Sequence, residues 1–224
     1  MAETDSHKAA HNIKTAGHED LDKIARCQKQ AFPGSLSSAM GLAYLRKMLE
    51  WYIVQPSAFL FYIEEDGKCA GYCGGFLVDG SLATGSASGM LQHSFNKAVW
   101  SFVFRPWLLM HKEMRAKIPF AVRNVRRKLG LADKQKEQKI KETHRPPTEP
   151  YTGLVVIGND PAYRGKGYGS GLLREFERVS IKKGVKLMRL TVNAQNETAI
   201  KSYKRNGWYT ANDLGNTHVM EKKI

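Results

Sequence analysis

The spacing of apolar residues in the first third of the chain predicts one strand, two helices and a hairpin. The predicted elements are a strand over 13–16, a helix over 18–31, a helix over 38–54 and strands over 58–64 and 69–78. Asp66-Gly67 separates the last two strands and is typical of a tight hairpin turn. Gly71, Gly74 and Gly75 weaken the second of these strands and indicate a bulge or a close approach of another backbone.

The last third of the chain shows the same regular alternation. Its pattern predicts a strand over 151–157, a helix over 167–183, a strand over 186–192, a helix over 197–205 and a strand over 218–222. A turn built on Asp160-Pro161 and a glycine-rich stretch follow the first of these strands. Lys182 and Lys183 followed by Gly184 are typical of a helix end, because cations favour the negative end of the helix dipole.

The middle of the chain, from about 80 to 148, has a different character. It opens with a loop of small residues over 80–89, continues as an apolar and aromatic run over 98–110 and closes at Pro146-Pro147. Residues 95–148 hold 14 Lys and Arg against four Asp and Glu, which is most of the net charge of +14. We therefore interpret residues 1–224 as a single domain with a basic insertion at about 80–148.

Composition narrows the class of protein. A chain of 224 residues with 42% hydrophobic and 25% charged residues is typical of a globular domain. Three cysteines (Cys27, Cys69 and Cys73) are too few for a disulfide framework and lack the further ligands of a zinc site. The small number of cysteines leads us to expect no structural metal. No signal-peptide core and no run of about 18 apolar residues is found, so we expect a cytoplasmic protein.

The excess of positive charge favours an anionic partner. A phosphate-bearing cofactor, a nucleic acid and an anionic membrane surface would each satisfy it. Nucleic acid is the least favoured of the three, since the sequence contains no recognised nucleic-acid-binding module.

A strand, a glycine turn and a helix follow one another near residue 165, an arrangement that places a phosphate at a helix N-terminus. A Walker A loop requires Ser or Thr after Gly165-Lys166, where Gly167 stands. The dinucleotide fingerprint requires Gly or Ala where Ser170 or Leu172 stands. Both alternatives therefore fail, which leaves a different phosphate ligand or a plain strand-to-helix turn.

Two linked motifs in this region resemble those of a known superfamily. Arg164-x-x-Gly167-x-Gly169 resembles the acyl-CoA signature (Gln/Arg)-x-x-Gly-x-(Gly/Ala) of the GNAT N-acyltransferases. Asn196-x-x-Ala199-x-x-x-Tyr203-x-x-x-Gly207-Trp208 resembles the second block of the same superfamily. The resemblance covers about 151–210 and implies an α/β (α+β) fold: a mixed, mainly antiparallel sheet with helices on both faces, here with a basic helical insertion.

The resemblance also implies roles for individual residues, with acetyl-CoA as co-substrate and no metal. The pantetheine arm would enter a gap between strands 151–159 and 186–192 and pair with backbone groups around Ile157 and Asn159. Asn196 would bond the pantetheine, Ala199 would leave room for it, and Tyr203 would protonate the departing thiolate. The pyrophosphate would be held by the turn formed by Arg164, Gly165, Lys166, Gly167, Tyr168, Gly169 and Ser170.

The implied reaction is transfer of an acetyl group to a primary amine by direct attack in a ternary complex. Each role has a plainer alternative: Asn196 as a helix cap, Tyr203 as helix packing and Arg164 as a solvated cation. A non-catalytic acyl-CoA-binding module or a basic nucleic-acid-binding protein also stays open, and neither would require Tyr203. No spacing argument selects the general base among Glu149, Asp160, His93 and His144.

Two features point towards the acceptor and its location. The stretch from Phe32 to Ser38 with Gly41 resembles GNAT members encoded with polysaccharide biosynthesis enzymes, which implies an amino sugar or sugar-nucleotide acceptor. An aromatic run flanked by cations indicates a peripheral membrane contact through 95–130, with an ordinary core helix as the alternative. The residues of this run are Trp100, Phe102, Phe104, Trp107 and Leu108.

Overall fold

The computed structural model describes residues 12–79, 87–111, 113 and 149–224, which build a seven-stranded sheet. Its strand order is β1-β2-β3-β4-β5-β7-β6, and β4 and β5 are its one parallel pair. The predicted mixed, mainly antiparallel sheet is confirmed. The strands are β1 (Ile13–Thr15), β2 (Ala58–Glu65), β3 (Lys68–Val78), β4 (Tyr151–Asn159), β5 (Leu187–Asn193), β6 (Tyr209–Asp213) and β7 (Thr217–Lys223).

Helices cover both faces of this sheet, as the resemblance implied. They are α1 (Leu21–Ala31), α2 (Leu36–Ala39), α3 (Leu42–Val54), α4 (Ala87–His93), α5 (Phe95–Phe104), α6 (Tyr168–Lys182) and α7 (Glu197–Arg205), with short 3-10 turns at His18–Asp20, Pro106–Met110 and Pro161–Tyr163. One buried cluster joins α1 and α3 to one face of the sheet. A second cluster joins α6 and α7 to the opposite face.

The helix predicted over 38–54 is confirmed from residue 42 to residue 54, where α3 lies, but its continuity before residue 42 is wrong. The chain forms two helices there, because Gly41 between α2 and α3 adopts a φ of 93°, which a helix cannot contain. The first helix also begins earlier than predicted, since Ser35 caps α2 by accepting a hydrogen bond from the Ser38 backbone N–H at 3.2 Å.

Three further elements differ from the sequence-based prediction. β6 was missed because all five of its residues are exposed, so the strand has no buried, apolar side to reveal it. The loop predicted over 80–89 is wrong from residue 87, where α4 begins, and residues 80–86 lie outside the described residues. The apolar run over 98–110 is divided at Arg105-Pro106, because proline disfavours a helical residue before it.

The middle segment leaves the sheet and returns to it at one place. β3 ends at Val78 and β4 begins at Tyr151, and these two residues pair with each other. The described part of the segment packs on α3, and Ser101 Oγ donates to the Met40 carbonyl at 3.2 Å, at the junction of α2 and α3. Residues 112 and 114–148 of the predicted insertion lie outside the described residues. Within the described ranges, no helix has the length and hydropathy needed to cross a membrane.

A group of ion pairs links β1, β2 and α1, and its contribution to the stability of the fold should depend on pH. Glu64 on β2 accepts from Lys14 Nζ at 2.6 Å and from Lys23 Nζ at 2.8 Å. These two ammonium groups, Lys14 first, lower the pKa of Glu64 from 4.5 to about 2. A carboxyl whose pKa is depressed on folding stabilises the fold above its unfolded pKa and loses this effect as pH falls.

We therefore expect Glu64→Gln to lower the urea midpoint near neutral pH and to flatten its decline between pH 4.5 and about 2. Urea unfolding across this pH window measures the effect. Glu197→Gln is the matched control, because its ion pair with Lys201 is exposed on α7. A Glu64→Gln variant with the same pH profile as the unmodified protein would contradict the prediction.

Candidate functional site

The two parallel strands part halfway along their length. β4 and β5 pair only from Tyr151 to Leu154 and from Leu187 to Leu190. Beyond this point β4 remains paired with β3, and β5 remains paired with β7. The facing edges of their C-terminal halves therefore have no strand partner across the gap. Such an edge can accept an extended chain through backbone hydrogen bonds.

A β-bulge accompanies the parting of the strands. Gly74 pairs with Val156 and Gly75 pairs with Leu154, so Val155 is the extra residue on β4. The bulge changes the side-chain alternation: Leu154 and Ile157 face the α6 and α7 cluster, while Val156 faces the α1 and α3 cluster. A bulge bends its strand, which turns the end of β4 away from β5. The sequence predicted a bulge or a close backbone approach at the glycines of β3. The bulge lies opposite Gly74 and Gly75, on β4, and a Cβ on Gly75 would stand only 2.6 Å from the Gly153 carbonyl oxygen.

Asn159, at the end of β4, directs its side chain towards the first turn of α6. A Cβ on Gly71 would overlap Asn159 Oδ1, and a Cβ on Gly169 would lie 3.2 Å from Asn159 Nδ2. Asn159 Oδ1 is buried and has no hydrogen-bond partner. A buried acceptor of this kind is costly unless a ligand or water donates to it. The sequence analysis predicted a role only for the backbone of Asn159. Gly71 and Gly169, which leave space for the Asn159 side chain, are the sequence signal that could have indicated its role.

The predicted glycine turn lies between β4 and α6. Gly165 and Gly167 adopt φ values of 80° and 81°, and Gly167 directly precedes the first residue of α6. The first hydrogen bond of the helix runs from the Gly171 N–H to the Gly167 carbonyl at 3.0 Å. Backbone N–H groups in the first turn of a helix have no acceptor within it, and they point towards an anion placed there.

The side chains around this turn hold it in place. Tyr168 is buried and its hydroxyl donates to Glu65 Oε1 on β2 at 2.6 Å, which raises the pKa of Tyr168 to about 12. The backbone of Tyr168, rather than its side chain, therefore faces the predicted phosphate. The Arg164 side chain is exposed, and its Nη2 lies 3.5 Å from the Ala31 carbonyl at the end of α1.

The second motif forms the start and the body of α7. Asn196 caps this helix, since its Oδ1 accepts from the Ala199 backbone N–H at 3.2 Å. The cap role is therefore confirmed, and Asn196 Nδ2 is left as a donor for a ligand. Ala199 is partly buried against the α6 and α7 cluster, next to the parted strands.

Tyr203 is buried in the same cluster as Ile157 of β4 and Val192 of β5, both on the parted halves of their strands. Its ring packs against Trp208, with the ring centroids 6.1 Å apart. Burial, with a smaller contribution from Cys73, raises the pKa of Tyr203 above its ordinary value. The phenol therefore keeps its proton at neutral pH, as a proton donor requires.

The candidate bases are spread over the molecule. His93 Nε2 lies 2.9 Å from Glu50 Oε2 on α3. Asp160 Oδ1 accepts from the Ala162 N–H and thereby caps the 3-10 turn that follows β4. Glu149 is exposed, and His144 lies outside the described residues. No hydrogen bond or ion pair joins the first three to Tyr203 in the described part of the chain.

Metal ligands do not gather in the described part of the chain. The residues described contain no group of three or more His, Cys, Asp or Glu that could hold a metal ion. Cys27, Cys69 and Cys73 are buried free thiols.

The fold is similar to that of solved N-acetyltransferases. The PaiA N-acetyltransferase of Thermoplasma acidophilum, solved with coenzyme A, superposes with a TM-score of 0.54 at 16% identity over 95% of this chain and 98% of that one. The ribosomal-protein-S18-alanine N-acetyltransferase of Escherichia coli superposes with a TM-score of 0.53 at 15% identity over 96% of this chain and 94% of that one. Residues 135–208 match the model of the acetyltransferase (GNAT) family.

A relative of known activity matches over a shorter stretch. Spermidine N(1)-acetyltransferase of Thermoplasma acidophilum is 38% identical over 70 residues, which is 31% of this chain. The match spans 44% of that protein's length, less than half.

Proposed function

We propose that this protein transfers an acetyl group from acetyl-CoA to a primary amine. The observation that carries the proposal is the parting of β4 and β5, whose free edge leads directly to the glycine turn before α6. An edge that accepts amide groups, followed by a helix end that accepts phosphate, matches the order of groups along coenzyme A.

In this proposal different residues of the site bind different parts of coenzyme A. Backbone groups of β4 around Ile157 and Asn159 pair with the pantetheine amides, and Asn159 Oδ1 accepts one further N–H. Asn196 Nδ2 bonds the pantetheine from the side of α7, where Ala199 leaves room. The N–H groups of residues 165–170 hold the pyrophosphate, with Arg164 and Lys166 as nearby cations.

The proposed chemistry is direct transfer. The neutral amine attacks the thioester carbonyl, whose oxygen is polarised by a backbone N–H near Asn159, and a C–N bond forms. The tetrahedral intermediate then breaks its C–S bond, and the thiolate takes the proton of the Tyr203 hydroxyl. The proton lost by the amine leaves through a base or a water chain.

The positive net charge of the protein favours an acceptor amine that carries phosphate over a polycationic amine. The protein has a formal net charge of +14, which repels a polycationic amine and attracts an acceptor that carries phosphate. We propose an amino sugar, free or linked to a nucleotide, as the acceptor class. A polyamine is the contrasting case, since spermidine is the named substrate of the relative that matches residues of this chain.

The test is thiol release from acetyl-CoA in the presence of an amine panel. The panel contains amino sugars, nucleotide-linked amino sugars, amino acids, polyamines and a peptide. We expect thiol release that depends on an amine and is fastest with a sugar amine. Saturable acetyl-CoA binding without thiol release from any amine would support a non-catalytic module instead. Release with polyamines alone would contradict the acceptor class but keep the reaction.

A further inference from the structure

α5 and the 3-10 turn after it have two sides of opposite character. The inner side is packed: Ala98 and Leu108 are buried, and Phe102 packs against the α1 and α3 cluster. The outer side carries seven large apolar side chains that are 43–89% exposed. We call this outer side the apolar face; it consists of Val99, Trp100, Val103, Phe104, Trp107, Leu109 and Met110.

The apolar face is held in a fixed position. Arg105 Nη1 donates to the Met40 carbonyl at 2.8 Å and to the Ala39 carbonyl at 3.2 Å, which ties the end of α5 to the junction of α2 and α3. The rings of Trp100 and Phe104 stack on the outer side, with their centroids 5.5 Å apart. α5 is thus not an ordinary core helix. Phe102 lies on its inner side, and Leu108 lies on the inner side of the 3-10 turn that follows.

The chemistry around the apolar face selects its partner. Single exposed apolar residues are common, but a cluster of this size marks a surface that binds something. The sequence has no Asp or Glu from residue 80 to residue 112, and residues 95–148 hold 14 Lys and Arg against four acids. A second copy of the chain would bring the same positive charge against itself. An anionic lipid bilayer complements both the charge and the apolar side chains.

We propose that the apolar face docks on an anionic lipid bilayer, with Trp100, Phe104 and Trp107 entering the interface. Tryptophan is favoured at this depth because its ring is apolar and its N–H can reach the wet headgroup region. The excess of basic residues in this part of the sequence favours a surface that carries anionic lipid phosphates. This proposal concerns a surface apart from the glycine turn and does not depend on acetyl transfer.

Tryptophan fluorescence provides a direct test on the full chain. Trp100 and Trp107 are exposed, whereas Trp51 and Trp208 are buried in the protein. Adding phosphatidylcholine vesicles that contain phosphatidylserine should shift the emission to the blue. Vesicles of phosphatidylcholine alone, or high salt, should weaken the binding. The Trp100→Phe/Trp107→Phe variant should still bind but lose the shift.

A charge-neutral variant separates apolar docking from general attraction. We expect Phe104→Ser/Trp107→Ser to lower the vesicle partition coefficient by about tenfold or more. Ile181→Ser is the matched control, because Ile181 is an exposed apolar residue at the far end of α6, and it should bind normally.

Three outcomes would overturn the proposal. The first is an absence of binding to anionic vesicles at low salt. The second is binding with no blue shift and with no effect of Phe104→Ser/Trp107→Ser, which would leave charge as the sole cause. The third is a vesicle-independent dimer in sedimentation experiments that the same variant dissociates, which would assign the apolar face to a second copy.

Discussion

Replacing Tyr203 with Phe is expected to lower kcat by about 10²–10⁴-fold, the usual contribution of a positioned acid, while KM for acetyl-CoA changes little. The substitution removes only the hydroxyl. The remaining ring still packs against Trp208 and fills its place in the cluster, so the fold should be kept. A loss confined to kcat would identify an interaction made in the transition state.

Steady-state rates of thiol release measure this effect, and Tyr209→Phe is the matched control. Tyr209 lies on the exposed strand β6, where its hydroxyl is 3.3 Å from Glu221 Oε2. Burial raises the pKa of Tyr203 above the ordinary 10, so the acid stays protonated until the pH exceeds 10. The unmodified protein should therefore show no fall in kcat from this group between neutral pH and pH 10. An unchanged kcat in Tyr203→Phe would remove Tyr203 from the mechanism.

Replacing Gly167 with Ala is expected to raise the dissociation constant for acetyl-CoA by about tenfold, equivalent to about 1.4 kcal/mol. Gly167 has a φ of 81°, and nothing lies within 4 Å of the place where a Cβ would stand. The substitution therefore causes no clash. It instead disfavours the left-handed conformation by roughly 1–2 kcal/mol, which shifts the start of α6 and its phosphate-facing N–H groups.

Gly184→Ala is a close control for this change. Gly184 follows α6, has a φ of 72° and likewise has open space around its would-be Cβ. Both variants should lose a similar amount of free energy of unfolding in urea, but only Gly167→Ala should lose affinity in calorimetric titration. Equal affinities in the two variants would show that the turn does not hold the phosphate groups.

Local signals in the sequence determined the helices around the site. α7 has the predicted bounds, because Asn196 caps its start and Asn206-Gly207 directly follows its last residue and ends it. The turn before α6 was equally clear, since glycine is the residue that tolerates the positive φ found at Gly165 and Gly167. The two linked motifs also indicated the family and the sheet class.

Tertiary structure decided how these local pieces combine. The parting of β4 and β5 depends on a bulge at Val155, which exists only once Gly74 and Gly75 of β3 pair with β4. The side chain of Asn159 became part of the site because Gly71 on β3, 88 residues earlier in the chain, and Gly169 on α6 leave space for it.

The difference between local and long-range contacts also explains why the sequence missed β6 and could not show which residues form the apolar face. β6 has no buried side, so only its pairing with β7 defines it. The aromatic run over 98–110 shows its composition in the sequence, but which of its rings face outward depends on how α5 packs on α3. The sequence by itself thus determined the elements formed by neighbouring residues and the chemistry they carry. The tertiary structure decided strand pairing, burial and the direction of side chains, because these depend on contacts between residues far apart in the chain.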